Sequence, residues 1–133
     1  MKYLILGGGG SFGIHTAFHV LQNMSPTKVI GVGRNPLRPS PFSLDIEKEK
    51  NYFYQAFHLT YEMDLLLEFL DNEKPDYIIN FAAQSMVAQS WDHPEHWLMT
   101  NVVSTVKFHD LLRHCSFLKK YVHISTPEVY GSC

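Results

Sequence analysis

A chain of 133 residues with 45% hydrophobic side chains is long enough for one domain with a real core and is not of disordered composition. A net charge of −2 offers no electrostatic footprint to nucleic acid or to an anionic membrane. No run approaches the roughly 18 apolar residues of a membrane span, glycines interrupt the apolar start before a signal-peptide core can form, and two cysteines, Cys115 and Cys133, read as free thiols of a reducing, cytoplasmic setting.

Strand-like and helix-like segments alternate along the chain. A buried strand is predicted over 3–6 and a helix over 11–24, with Phe12, Ala17, Val20, Leu21 and Met24 at helical spacing. A second strand follows over 28–32. Pro36, Pro39 and Pro41 make 34–43 a loop. A third strand is predicted over 52–59 and a short helix over 62–70, striped by Leu65, Leu66, Phe69 and Leu70. Pro75 marks a stop before a fourth, continuously apolar strand over 76–81. A long helix over 94–115 carries Leu98, Val102, Val106, Leu111 and Leu112 on one side, and a fifth strand is predicted over 120–125. This alternation predicts an α/β, Rossmann-like, doubly wound parallel sheet, with helices on both faces and about five strands. All 133 residues are expected to form one dinucleotide-binding domain.

The first strand runs directly into Gly7-Gly8-Gly9-Gly10-Ser11-Phe12-Gly13. Gly8, Gly10 and Gly13 have the dinucleotide spacing, and Gly7, Gly10 and Gly13 have its short-chain dehydrogenase variant. One glycine makes the strand-to-helix turn, one lets backbone approach a pyrophosphate, and one lets helix pack on strand. Ser11, Phe12 and Gly13 then open a helix whose free N–H groups and positive dipole end suit an anion. Ser11 can also cap that helix or donate to a phosphate. The plain alternative is a glycine-rich turn without a ligand.

An NAD site usually has a carboxylate at the end of the second strand to hold the ribose diol. Here that place reads Gly31-Val32-Gly33-Arg34-Asn35, with no carboxylate until Asp45. The guanidinium of Arg34 suits a 2′-phosphate, with Arg38 as an assistant, so NADP is expected over NAD. At the other end, Thr126 and Glu128 follow the fifth strand, at the edge where ligands bind in open α/β sheets.

Four stretches together resemble the N-terminal part of the extended short-chain dehydrogenases, the nucleotide-sugar epimerases and 4,6-dehydratases. They are the glycine loop; Pro75-Asp76-Tyr77-Ile78-Ile79-Asn80-Phe81-Ala82-Ala83-Gln84-Ser85; Thr100-Asn101-Val102-Val103-Ser104-Thr105; and Tyr121-Val122-His123-Ile124-Ser125-Thr126-Pro127-Glu128-Val129-Tyr130-Gly131. The resemblance implies that Ala82 and Ala83 line the cofactor near the nicotinamide ribose. It places Ser85 close to the sugar or the cofactor, and gives Asn101 the support of the site's framework on the cofactor side. It makes Thr126 the group that hydrogen-bonds the sugar C4 oxygen, and Glu128 the base that removes the C5 proton. The implied substrate is a nucleotide-diphosphate sugar.

Three departures from the family pattern stand out. Pro127 replaces the dehydratase aspartate and has no proton to give to the departing C6 hydroxyl. His58-Leu59 stands where an Asp-hydrophobic pair often meets adenine. The Tyr-x-x-x-Lys pair that serves as proton partner at C4 does not occur in these residues. The chain is therefore expected to be the truncated cofactor portion of such an enzyme, inactive alone, with a non-catalytic dinucleotide-binding module as the alternative.

Two further expectations concern surfaces. With strand order 3-2-1-4-5 the fifth strand is an uncovered edge and the long helix an uncovered apolar face, which predicts a homo-oligomer. His93-Pro94-Glu95-His96 is the tightest histidine cluster. Pro94 reads as a helix start, so the two imidazoles need not share a face, and no metal site is expected.

Overall fold

The computed structural model describes residues 1–25, 27–38 and 45–131. Pro39, Pro41 and the rest of 39–43 in the expected loop, together with Cys133, lie outside the described residues. Five parallel strands form one sheet in the order β3-β2-β1-β4-β5: β1 Lys2–Leu6, β2 Lys28–Gly33, β3 Tyr52–Ala56, β4 Tyr77–Asn80 and β5 Lys120–His123. The order reverses between β1 and β4, because the chain first winds outward through β2 and β3 and then returns past β1. That reversal opens a crevice at the carboxyl ends of the strands.

Side chains of β1 alternate between two cores, as the pleat requires. Tyr3 and Ile5 join Ile14, Ala17 and Val20 of α1 (Ser11–Asn23) on one face. Leu4 and Leu6 join Leu66 and Leu70 of α2 (Met63–Glu73), together with Ile78 and Phe108, on the other. The sheet is thus covered on both sides, the doubly wound arrangement.

β3 ends at Ala56 rather than at Leu59. The N–H of Phe57 makes the last bond toward β2, to Gly33 O at 2.9 Å. The next N–H, of His58, donates instead to Glu62 Oε2 at 2.6 Å, so the chain leaves the ladder to begin the turn into α2. α2 itself continues to Glu73, and Lys74, in the left-handed region at φ 47°, ends it ahead of Pro75.

The expected long helix is built from several pieces. α3 (Val87–Asp92) precedes it, α4 (Pro94–Trp97) starts it, a π-helical stretch (Leu98–Ser104) follows, and α5 (Thr105–Leu112) completes it. The wider π turns rotate the side chains relative to a regular helix. Ser104 and Phe108 are buried against the sheet, whereas Leu98, Val102 and Val106 point outward and are more than half exposed. Hydrophobicity alone selected that outer stripe.

At the amino edge of the sheet, Glu73 accepts from both Lys2 and Lys28 at 2.9 Å, and Asp76 accepts from Lys119 at 2.8 Å and from the backbone N–H of Lys2 at 2.8 Å. Lys28 and then Lys2 hold the Glu73 carboxyl below the usual glutamate value. Lys119 and the Lys2 N–H do the same for Asp76. A carboxylate depressed by folding adds stability above its unfolded value, near 4, and loses it as pH falls through the folded value. Urea midpoints are therefore expected to hold steady above about pH 5 and to drop below about pH 4, and Glu73→Gln should flatten the drop. A midpoint that rises on acidification would contradict this.

Candidate functional site

Gly7 turns the chain out of β1 at φ +76°, a conformation side chains resist. A Cβ on Gly7 would also stand 2.9 Å from the Phe81 carbonyl carbon, and one on Gly8 would stand 2.6 Å from Gly31 Cα. Backbone therefore touches backbone where β1 meets β2 and β4. Gly10 caps α1 without any side-chain bond to its first turn, so the N–H groups of Ser11, Phe12 and Gly13 form the helix's open amide end. Ser11 is the first helical residue and does not cap, contrary to one reading of its hydroxyl. Phe12 is 79% exposed, so its side chain lies off both the core stripe and the crevice, and its contribution to a ligand reduces to its amide.

β2 and β3 supply a second wall. The phenol of Tyr54 crosses above Gly9 and Gly33, where any Cβ would strike its oxygen, and donates to Asn35 O at 2.8 Å. Burial pushes this phenol above its usual pKa, which keeps it a donor. Arg34 and Arg38 project beside it. His58 Nδ1 accepts from the N–H of Thr60 at 3.3 Å, which orients the ring at the crevice edge.

The third wall is the segment after β4. Asn80, buried, accepts from the N–H of Ala82 at 2.8 Å and donates to the Tyr121 hydroxyl at 2.9 Å. That hydroxyl lies 3.0 Å from His123 Nδ1, so the end of β5 is tied to the same turn. Asn101 clamps Gln84, two residues further on, from the helical side. It donates to Gln84 O at 2.9 Å and its Oδ1 accepts from Gln84 N at 2.8 Å. The π-helical stretch places Asn101 opposite this loop and Thr100 on the crevice wall.

These walls enclose a crevice of about 520 Å³. Of the residues expected at the cofactor, Gly7, Gly10, Arg34, Ala82 and Ala83 line it. Gly13 lies behind the loop, against the Gly7 carbonyl oxygen. Asn101 holds Gln84 rather than lining the wall. Ser85, Thr126 and Glu128 are exposed and outside the lining, and Glu128 sits in the 3-10 turn Pro127–Tyr130 beyond β5. Tyr54, Thr60 and Gln84 also line the crevice, and no local signal in the sequence marks them.

Arg34 and Arg38 are the charged residues of the lining, and no carboxylate is among the described residues that form it. Glycine backbone at the loop and open amides at the helix start fit a diphosphate. The residues present thus suit an extended, multiply anionic ligand.

His93 and His96 do share a face, although a helix start at Pro94 does not require it. Their rings stack with centroids 5.0 Å apart, and Glu95 Oε1 lies 3.5 Å from His93 Nδ1 and 3.7 Å from His96 Nε2. Among the described residues, no helix is long and apolar enough to cross a membrane.

The model of the GDP-mannose 4,6-dehydratase family matches residues 4–133. The dTDP-D-glucose 4,6-dehydratase of Dictyostelium discoideum is 33% identical over 98% of this chain and 30% of its own length. The dTDP-glucose 4,6-dehydratase of Bacillus anthracis, solved in complex with NAD, superposes with a TM-score of 0.80 at 26% identity over 100% of this chain and 40% of its own. The UDP-glucuronic acid 4-epimerase of Bacillus cereus, in complex with UDP-glucuronic acid and NAD, gives 0.81 at 25% identity over 100% and 42%. The chain therefore spans 30% to 42% of the length of these relatives.

Proposed function

Because the chain belongs to the GDP-mannose 4,6-dehydratase family, we propose that it is the dinucleotide-binding portion of a nucleotide-sugar 4,6-dehydratase or epimerase, taking NADP in preference to NAD. The observation that carries the reading is the crevice lining: glycine backbone of Gly7, Gly9 and Gly10 on one side, Ala82 and Ala83 on the other, and Arg34 and Arg38 with no carboxylate among the described residues that form it. Two of the related enzymes named above hold NAD. The preference for NADP rests on Arg34 and Arg38 of this chain.

When bound, the nicotinamide supplies a hydride acceptor for oxidation at the sugar C4. The amides of residues 11–13 would hold its diphosphate, Arg34 its 2′-phosphate, and Ala82 and Ala83 the ribose next to the ring. Asn101, through Gln84, keeps that wall in place. Thr126 would hydrogen-bond the C4 oxygen of a nucleotide-diphosphate sugar, and Glu128 would take the C5 proton. Pro127 leaves the C6 acid to water or another group. Ser85 would sit near the sugar. Self-association through the outer stripe of Leu98, Val102 and Val106 belongs to the same reading. Thr126 and Glu128 stand outside the crevice lining, which favours a second reading, dinucleotide binding without turnover.

Calorimetric titration of NADP⁺ and NAD⁺ against the chain tests the binding that both readings share. One site is expected, tighter for NADP⁺. Arg34→Ala should weaken NADP⁺ about tenfold, the low end for a charged hydrogen bond at an exposed residue, while leaving NAD⁺ nearly unchanged. Equal losses for both coenzymes would remove the 2′-phosphate role, and no binding of either would remove the function.

A further inference from the structure

We propose that His93, Glu95 and His96 form a binding site for a borderline divalent transition metal, with Zn²⁺ as its reference ion. The site is separate from the crevice and takes no part in the dinucleotide reading above. Its origin is local. Pro94 opens α4, so His93 is the residue before the first turn and His96 is the third residue within it. This spacing, cap residue and third helical residue, places both side chains at the start of the helix. Helical backbone continues from Pro94 through Leu112, so the first turn is held by a long rod rather than by an isolated four-residue piece.

The distances suit coordination. Zinc bonds of about 2.0–2.1 Å to nitrogen and oxygen in a tetrahedron put ligand atoms roughly 3.4 Å apart. Glu95 Oε1 is 3.5 Å from His93 Nδ1 and 3.7 Å from His96 Nε2, and the three ligand atoms all lie within 4.8 Å of one another. Rotations that unstack the two rings would aim both in-plane lone pairs at one ion, and all three groups are exposed enough to make them. Two imidazoles and one carboxylate select zinc, nickel or copper over magnesium and calcium, which prefer all-oxygen sets. Three protein ligands leave a fourth position for water. His93 also joins α3 to α4, so an ion here would fasten that junction.

The test is calorimetric titration of the untagged chain with ZnCl₂ and, separately, MgCl₂. One Zn²⁺ per chain is expected, with no saturable Mg²⁺ binding. His93→Ala and His96→Ala should each weaken Zn²⁺ at least tenfold, and the double variant should abolish the site. Because the side chains are exposed, the variants should keep the parent circular-dichroism melt without metal, which separates loss of a site from loss of fold. Zn²⁺ binding that survives the double substitution, or no Zn²⁺ binding by the parent chain, overturns the proposal, as does Mg²⁺ binding of equal strength.

Discussion

Gly13→Ala is expected to cost about 1–3 kcal/mol of stability and to abolish measurable dinucleotide binding. The added methyl would overlap the Gly7 carbonyl oxygen and lie 2.9 Å from Gly8 Cα and 3.0 Å from the Gly7 carbonyl carbon. Those neighbours are backbone, pinned in turn by Gly10 N–H donating to Gly7 O and Gly8 N–H donating to Val32 O, each at 2.9 Å. No side chain can swing aside, so α1 must lift from the loop and carry its open amides away from the crevice. Gly13 has no positive φ, so the penalty is one of space alone. Gly10→Ala is the matched control. Its nearest obstacle is the Gly7 oxygen at 3.3 Å, which small adjustments relieve, and its cost should stay within about 1 kcal/mol, mostly from a poorer helix cap. Urea unfolding of both variants decides the matter: equal losses would mean that the close packing of loop on helix does not govern this site.

The sheet was legible because four of its strands are short apolar runs bounded by glycine, proline or charge, and because alternation with helices leaves few topologies open. The end of β3 was not legible. Phe57 and Leu59 prolong the apolar pattern, yet they pack toward α2 from a turn, since the His58 amide is taken by the Glu62 side chain. The helix after β4 was misread for a related reason. Leu98, Val102 and Val106 form the better hydrophobic stripe, but the buried face runs through Ser104, which donates to Met99 O at 2.8 Å and can accept from the Thr60 hydroxyl at 3.1 Å. A polar residue that satisfies itself locally can be buried without any hydrophobic signal.

The site was legible wherever backbone conformation demanded a residue type. Gly7 and Gly10 stand on the crevice wall, and the absence of a carboxylate after β2 reappears as a wall with two arginines. What escaped the sequence were side chains acting across elements. Nothing local to Tyr54 announces that it spans Gly9 and Gly33, because that contact depends on the register of β2 with β3, in which Gly31 pairs with Tyr54. Asn101 was expected near the cofactor. Its two bonds to Gln84 put it one residue further back, which requires the π-helical offset to be known.

Phe108→Ala should lower stability by about 3–5 kcal/mol, as loss of a fully buried aromatic ring does. Phe108 is 0% exposed, packs in the cluster of Leu66, Leu70 and Ile78, and lies 6.2 Å ring to ring from Tyr121. α3 and α4 bury no residue and the π-helical stretch buries only Ser104, so Phe108 is the one fully buried apolar side chain by which residues 87–112 dock, with Leu112 partly buried on the same cluster. The effect should therefore reach the crevice. Asn101 clamps Gln84 from the same helical rod, and a rod that loses its anchor cannot hold the wall that Ala82 and Ala83 share. Dinucleotide affinity should fall under conditions where the variant is still folded, and Phe108→Leu should recover most of both losses. A variant that loses less than about 1 kcal/mol would show that the rod is held by something other than this ring, and a variant that loses stability without affinity would uncouple the Asn101 clamp from ligand binding.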